Sequence, residues 1–432
     1  MTVKLAAAAL WRRAGAATFD SRCSAIVIPR SPHEPKPKRK PALVEQLGRT
    51  KPKFDEQDLV GFKYFDLVQP LLKTLHDVGT ERDRAGNRDL FCDQYASLLL
   101  MYFFNPVLTS LRGIQQASGF RKVQRELGVE KTSLGSLSEA SRVFDAQLVQ
   151  PIIRELADRL TPLQQGAEAA ALRTLTAVDG SLLPALPKMA WALWNYDDKR
   201  AARLHLHFEV LKSVPVAAKI TAGKSCEKKA LHTMLEAGRF YVMDRNYEQF
   251  SMFQDIVDLG SSFVCRVREQ MTWKVIEERP LSPAARAAGV VYDAQVRLGG
   301  LKADGVLKQL FRVVQVDTGK TDQDGQPAIL TLVTDKMDLE AELIALAYRF
   351  RWQIEIFFRW LKCILGCRHL LSTCQNGVEL QVYFALIASL LIALWVGRKP
   401  TKRTYEMLCF YFLGIVELDE LTEHIAHLKK QD

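Results

Sequence analysis

Asp179 closes the run LRTLTAV, Asp244 closes RFYVM, and Glu355 sits among Tyr348, Arg351, Arg359 and Lys362. Apolar residues lead up to each aspartate, which predicts two strands with a carboxylate at the end of each, where reactive groups gather in α/β sheets. Ala341 to Gly366 predicts a single helix: good formers run through it, no proline interrupts, and Gly366 suits a stop. At about 100° per residue, Tyr348, Arg351, Glu355 and Lys362 fall within an arc of roughly 60°, with Arg359 beside them. Leu346, Phe350, Ile354, Phe357, Leu361 and Leu365 form the opposite, apolar stripe, which suits a core. A solvated face with Arg351 and Glu355 paired at four-residue spacing would also account for this helix. A cap or a turn would account for either aspartate taken singly. Jointly, the three are hard oxygen donors for a divalent cation such as Mg²⁺, set beside groups that bind phosphate. Like charges gathered so closely repel unless a cation neutralises them.

Tyr348, two residues, Arg351, three residues, Glu355, six residues, Lys362 resembles the Y-R-E-K signature of insertion-sequence-four-type transposases, which are DDE enzymes. The wording YRFRWQIEIFFRWLK after LVTD carries the same likeness, and Asp244-Arg245-Asn246-Tyr247 is similar to the family's D-R-x-Y motif. The resemblance runs from about Leu172 to Leu370. It implies an RNase H-like catalytic core in which Asp179, Asp244 and Glu355 coordinate two Mg²⁺ ions, with Mn²⁺ as a substitute. Arg245 and Tyr247 would support the second motif and join the DNA contacts, while Tyr348, Arg351 and Lys362, with Arg359 nearby, would hold the DNA backbone. The implied activity is cut-and-paste transposition by a homodimer on paired ends, its partners being the terminal inverted repeats and target DNA, both double-stranded. The first motif reads Asp-Gly-Ser, where many relatives have Asp-Ser or Asp-Ala. In some relatives a tryptophan of the inserted region stacks on a flipped base. Trp273 is the candidate here, ahead of Trp191 and Trp194, although an aromatic in a strand is ordinarily core. A catalytically inactive or domesticated DNA-binding protein, and a stand-alone nuclease, are the rival readings.

The chain as a whole suits a nucleic-acid partner. Its 59 Lys and Arg outnumber 49 Asp and Glu, a net +10, and its pI is about 9.1. With 48% hydrophobic and 25% charged residues it reads as globular, not fibrous or disordered. Eight cysteines lack framework spacing, so reduced thiols in a bacterial cytoplasm, at the nucleoid, are the expectation. Cys363, Cys367, His369 and Cys374 fit no standard zinc spacing. His205 and His207 lie two apart on a strand and share a face, which suits packing or DNA contact more than a metal pair. Tyr383 to Val396 reads as a buried core helix, since no stretch reaches the ~20 apolar residues of a membrane span.

Five regions follow in order. Residues 1–54 are a basic, proline-rich leader expected to be disordered. Residues 55–165 predict short helices with basic side chains (Arg112, Arg121, Lys122, Arg125, Lys131 and Arg142), as in a helix-turn-helix-like DNA-binding domain or a helical scaffold. Ser136 or Ser138 offers a cap there. Residues 170–267 and 329–370 alternate strands and helices, giving an α/β fold with an RNase H-like core. Residues 268–328 form a β-rich insertion, and 371–432 are helical.

Overall fold

The computed structural model describes residues 68–429, apart from 77, 79–82, 84–85, 87–88, 164–165, 186–187, 193–199, 301–305, 322–324 and 368. The leader and Trp194 lie outside the described residues. Asp55–Asp432 forms one compact unit.

A nine-stranded sheet is its centre: β1 (Leu175–Pro184), β2 (Ala201–Glu209), β3 (Val214–Ala222), β4 (Phe240–Met243), β5 (Ser262–Arg266), β6 (Trp273–Glu278), β7 (Val290–Leu298), β8 (Phe311–Thr321) and β9 (Pro327–Thr334). Their spatial order is β3-β2-β1-β4-β5-β9-β8-β7-β6. The β1–β4 and β4–β5 pairs are parallel and every other pair is antiparallel. Side chains alternate across a sheet, so each face builds its own core. Ala177, Leu206, Phe208, Phe240 and Val242 fill one, while Val178, Tyr241, Met243, Phe253 and Phe263 fill the other.

The longer helices ahead of the sheet are α1 (Cys92–Phe104), α2 (Leu111–Ala117), α3 (Arg121–Leu127), α4 (Leu134–Val143) and α5 (Gln150–Asp158). Gly128 ends α3 with φ of +63°, the left-handed stop that glycine adopts without strain. The N-cap of α4 is Ser133, whose hydroxyl accepts the Ser136 amide at 2.9 Å. Ser136 and Ser138 therefore sit inside the helix instead of capping it. Within the sheet region lie α6 (Glu227–His232) and α7 (Phe250–Asp258), followed by α8 (Ala341–Phe350), α9 (Trp352–Arg359), α10 (Gln375–Val396), α11 (Lys402–Phe412) and α12 (Leu418–Lys429). α10 is apolar on every side and is long and apolar enough to cross a membrane by length and composition. Nearly all of it is enclosed by α1, α4, α5 and β3, as expected of a core helix.

Two elements differ from the sequence expectation. β1 does not stop at Gly180 but continues to Pro184, because β2 pairs with it residue for residue as far as Pro184 opposite Ala201. The 341–366 helix is also not continuous. It tightens at Arg351, where the Arg351 amide reaches the Tyr348 carbonyl, and widens into a π turn at Trp360–Ile364. The Trp360 indole donates to the Ser389 hydroxyl at 3.2 Å, and the Leu365 amide closes back on the Trp360 carbonyl. Ile354, Phe357, Leu361 and Leu365 of the expected stripe are buried, while Leu346 and Phe350 are half-buried against the same core.

Candidate active site

Asp179 sits within β1, opposite Leu206, two residues beyond the last parallel pairing with β4. Its Oδ1 accepts the Gly180 amide at 2.7 Å. Gly180 itself gives room to a neighbour, since a Cβ there would lie 2.9 Å from Glu227 Oε1. Glu227 is ion-paired with Arg203, so a fixed charge pair rests against the strand beside Asp179.

Asp244 follows the last residue of β4, as expected. Its Oδ1 accepts the Asn246 amide at 2.8 Å and caps the tight turn Arg245–Tyr247. The Cys265 thiol of the neighbouring β5 donates to the Asp244 carbonyl at 3.4 Å, so backbone and carboxylate are both held.

Glu355 arrives from the third direction. α8 packs on β4 and β5, and α9 on β1. Phe357 meets Phe208 of β2 with ring centroids 5.1 Å apart, and Gln353 accepts the Ser213 hydroxyl at 3.1 Å. With that side anchored, the other presents Arg351 and Glu355. Arg351 Nη2 lies 2.6 Å from Glu355 Oε1, and its Nη1 lies 3.6 Å from Asp179 Oδ2. One guanidinium thus bridges carboxylates from β1 and α9. It also lies 5.9 Å from the ring centroid of half-buried Tyr348.

Electrostatics ties the group together. Burial pushes the Asp179 carboxyl up to about 6; the negative charges of Asp244 and Glu355 add to this, against the Gly180 amide and Arg351. Burial pushes the Tyr247 phenol far above its usual range, and Asp179 and Asp244 raise it further, while Arg203 and Arg351 oppose them. Tyr247 was expected among the DNA contacts, yet it is 2% exposed. The tight turn after Asp244 carries its ring into the core that also holds Val178, Tyr241 and Met243, so it faces no solvent.

The remaining expected residues are placed plainly. Arg245 and Arg359 are exposed, and Lys362 is half-buried in the π turn. His205 and His207 are buried on the face opposite Asp179: His205 Nε2 lies 2.8 Å from Thr221 Oγ1, and His207 meets Tyr241 edge-on. Trp273 opens β6 half-buried, and the Trp191 indole donates to the Thr373 carbonyl at 2.9 Å. Cys363 and His369 are exposed, Cys367 is buried, and Cys374 caps α10. Arg203 and Glu227 were not singled out from sequence. Arg203 does alternate with His205 and His207 on β2, but nothing local marks Glu227.

Among the described residues, no three His, Cys, Asp or Glu side chains form a group that could hold a metal ion as they stand. The donor set nevertheless suits one: three hard carboxylates from three elements, with a cation already seated between two of them.

A family model described as "Transposase DDE domain" matches residues 170–391, just over half of the chain. The chain belongs to the DDE transposase family. The DDE domain so bounded takes in β1 to β9, all three carboxylates and most of α10. The chain is 30% identical over 220 residues to the Sinorhizobium fredii (strain NBRC 101917 / NGR234) protein y4zB, a transposase by name, covering 50% of this chain and 60% of that one. It is 24% identical over 239 residues to the Geobacillus stearothermophilus protein named for insertion sequence element IS5377, covering 54% and 60%. A shorter stretch of 63 residues is 36% identical to the Synechocystis transposase named for element IS4SA, covering 15% and 19%. The chain thus spans about three fifths of the first two relatives. A cryo-EM structure of the piggyBac transposase synaptic complex with hairpin DNA aligns with 86% of this chain and 84% of its own, with a TM-score of 0.37 and 10% identity. That likeness is too distant to bear on the site.

Proposed function

We propose that the chain is a cut-and-paste DNA transposase, acting in the bacterial cytoplasm as a homodimer on double-stranded element ends and target DNA. The observation that carries this reading is the meeting of Asp179 from β1 and Glu355 from α9 on one cation, the Arg351 guanidinium, with Asp244 at the end of β4 near enough for its charge to raise the Asp179 carboxyl. The sheet order β3-β2-β1-β4-β5, with β1, β4 and β5 parallel, supports an RNase H-like core, and β6 to β8 then make up the β-rich insertion ahead of β9.

Asp179, Asp244 and Glu355 would hold Mg²⁺, with Mn²⁺ as a substitute. Such ions lower the pKa of an attacking water or 3′-hydroxyl and stabilise the leaving oxygen of an in-line phosphoryl displacement. Around them the chain supplies rigidity and charge. The Asn246 amide and the Cys265 thiol fix Asp244, while the Arg203–Glu227 pair packs against Gly180 on the opposite face of the strand that carries Asp179. Exposed Arg245 and Arg359, with Lys362 and Tyr348 at the rim, suit the phosphate backbone: arginine through its two-pronged fork and lysine as a point charge. His205 and His207 lie on the other face of the sheet, out of reach as general bases.

Glu355→Gln tests the reading on DNA carrying the chain's own flanking sequences. The wild type is expected to cut and join these ends in Mg²⁺ or Mn²⁺, while the variant binds them within a few-fold and does not cut. A wild type that binds but never cuts in either metal leaves a DNA-binding protein without catalysis. One that cuts but never joins 3′-hydroxyl ends leaves a nuclease.

A further inference from the structure

Arg351 is held in an unusual way for a residue that would clamp DNA. Its side chain is only 15% exposed, its head group lies between Asp179 and Glu355, and its buried Nε has no hydrogen-bond partner. It is tightly paired to one carboxylate at 2.6 Å and loosely to the other at 3.6 Å. It also stands at the junction of α8 and α9, where the helix tightens.

A divalent ion shared by these carboxylates needs their oxygens at about 2.0–2.1 Å, so the ion and the guanidinium exclude one another. A displaced guanidinium must then find another anion, because leaving a charge half-buried and unpaired is costly. A DNA phosphate at the rim meets that need with two charge-assisted hydrogen bonds.

We propose that Arg351 is a resident counter-ion that blocks the metal site in the DNA-free protein, and that its transfer to a phosphate couples metal loading to DNA loading. The inference rests on the metal-site reading above. The exchange makes metal binding weak until DNA draws the arginine away. By linkage the metal in turn tightens DNA binding by the same factor, with typical couplings of about 5–150-fold.

The test is Mn²⁺ binding to the full chain without DNA, followed by the electron paramagnetic resonance signal of free Mn²⁺. Arg351→Gln should bind Mn²⁺ about tenfold more tightly than the wild type, and Glu355→Gln should lose that binding. Arg351→Met keeps the apolar stem and should repeat the gain, which guards against a Gln variant that fails to fold. Equal or weaker Mn²⁺ binding in both folded arginine variants, with binding still lost in Glu355→Gln, overturns the counter-ion proposal and leaves the metal site standing. Absence of Mn²⁺ binding in the wild type and in both arginine variants overturns the site and the proposal together.

Discussion

Replacing Asp179 by Asn should make the protein more stable at neutral pH. Its carboxyl is raised from an ordinary 3.8 to about 6, chiefly by burial, and its side chain is 19% exposed. The folded state therefore holds this proton more tightly than the unfolded chain does, and ionisation works against folding. The sign follows from linkage: the destabilisation is absent below about pH 4, grows as pH rises toward 6, and is complete above that. A rise of about two units corresponds to about 3 kcal/mol. Asn removes the ionisation while keeping the shape, and Arg351 retains Glu355 at 2.6 Å. For one cooperative unit spanning Asp55–Asp432, unfolding entropy of about 0.8 kcal/mol per kelvin turns this into a Tm rise of about 4 °C. The assay is thermal unfolding of both proteins in a chelator, at pH 7.5 and at pH 4. The Asn variant should melt higher at pH 7.5 and level with the wild type at pH 4. An equal or lower Tm at pH 7.5, or a gain that persists undiminished at pH 4, would refute the electrostatic account of the site.

Two further outcomes concern the frame around the site. Arg312 is 2% exposed, binds both oxygens of buried Asp293 at 2.8 and 2.6 Å, and reaches the carbonyls of Lys336 and Met337 on the approach to α8. Arg312→Met strands the Asp293 charge and should lower stability by about 3–5 kcal/mol in urea denaturation; a loss below about 1 kcal/mol would contradict this. At Gly377, near the start of α10, a Cβ would lie 2.5 Å from Ser372 Cβ and 2.9 Å from Ser141 Cβ. Gly377→Ala should cost about 1–3 kcal/mol by overpacking, read as a lower denaturation midpoint, and an unchanged midpoint would mean that this junction is looser than it stands.

What could be read from the sequence was what short-range periodicity encodes. Strand-like runs marked the β2–β3 hairpin, β4 and β5, and Gly260, with φ of +74°, follows the end of α7 as a glycine stop does. Gly238 reads as the stop of α6, yet that helix already ends at His232 with Thr233 as its cap. The 3.6-residue period put Arg351 and Glu355 on one face of a helix and Phe357 and Leu361 on another. The misreadings share one cause. Gly180-Ser181 reads locally as a turn, yet β2 carries β1 straight through it, and that pairing depends on a strand more than twenty residues away. The tightening at Arg351 and the π turn at Trp360 likewise follow packing on Phe208 and Ser389, which no propensity near 355 announces. The same limit explains why the motif was legible while its electrostatics was not. The four spaced residues name a helix face, but the charge that Arg351 neutralises on Asp179 lies in another element altogether. In the sequence Arg351 and Glu355 were equally well a surface ion pair. Asp179 makes the difference: a second, buried carboxylate against the same guanidinium leaves one cation shared between two acids from different elements, which an isolated surface pair on a helix does not show.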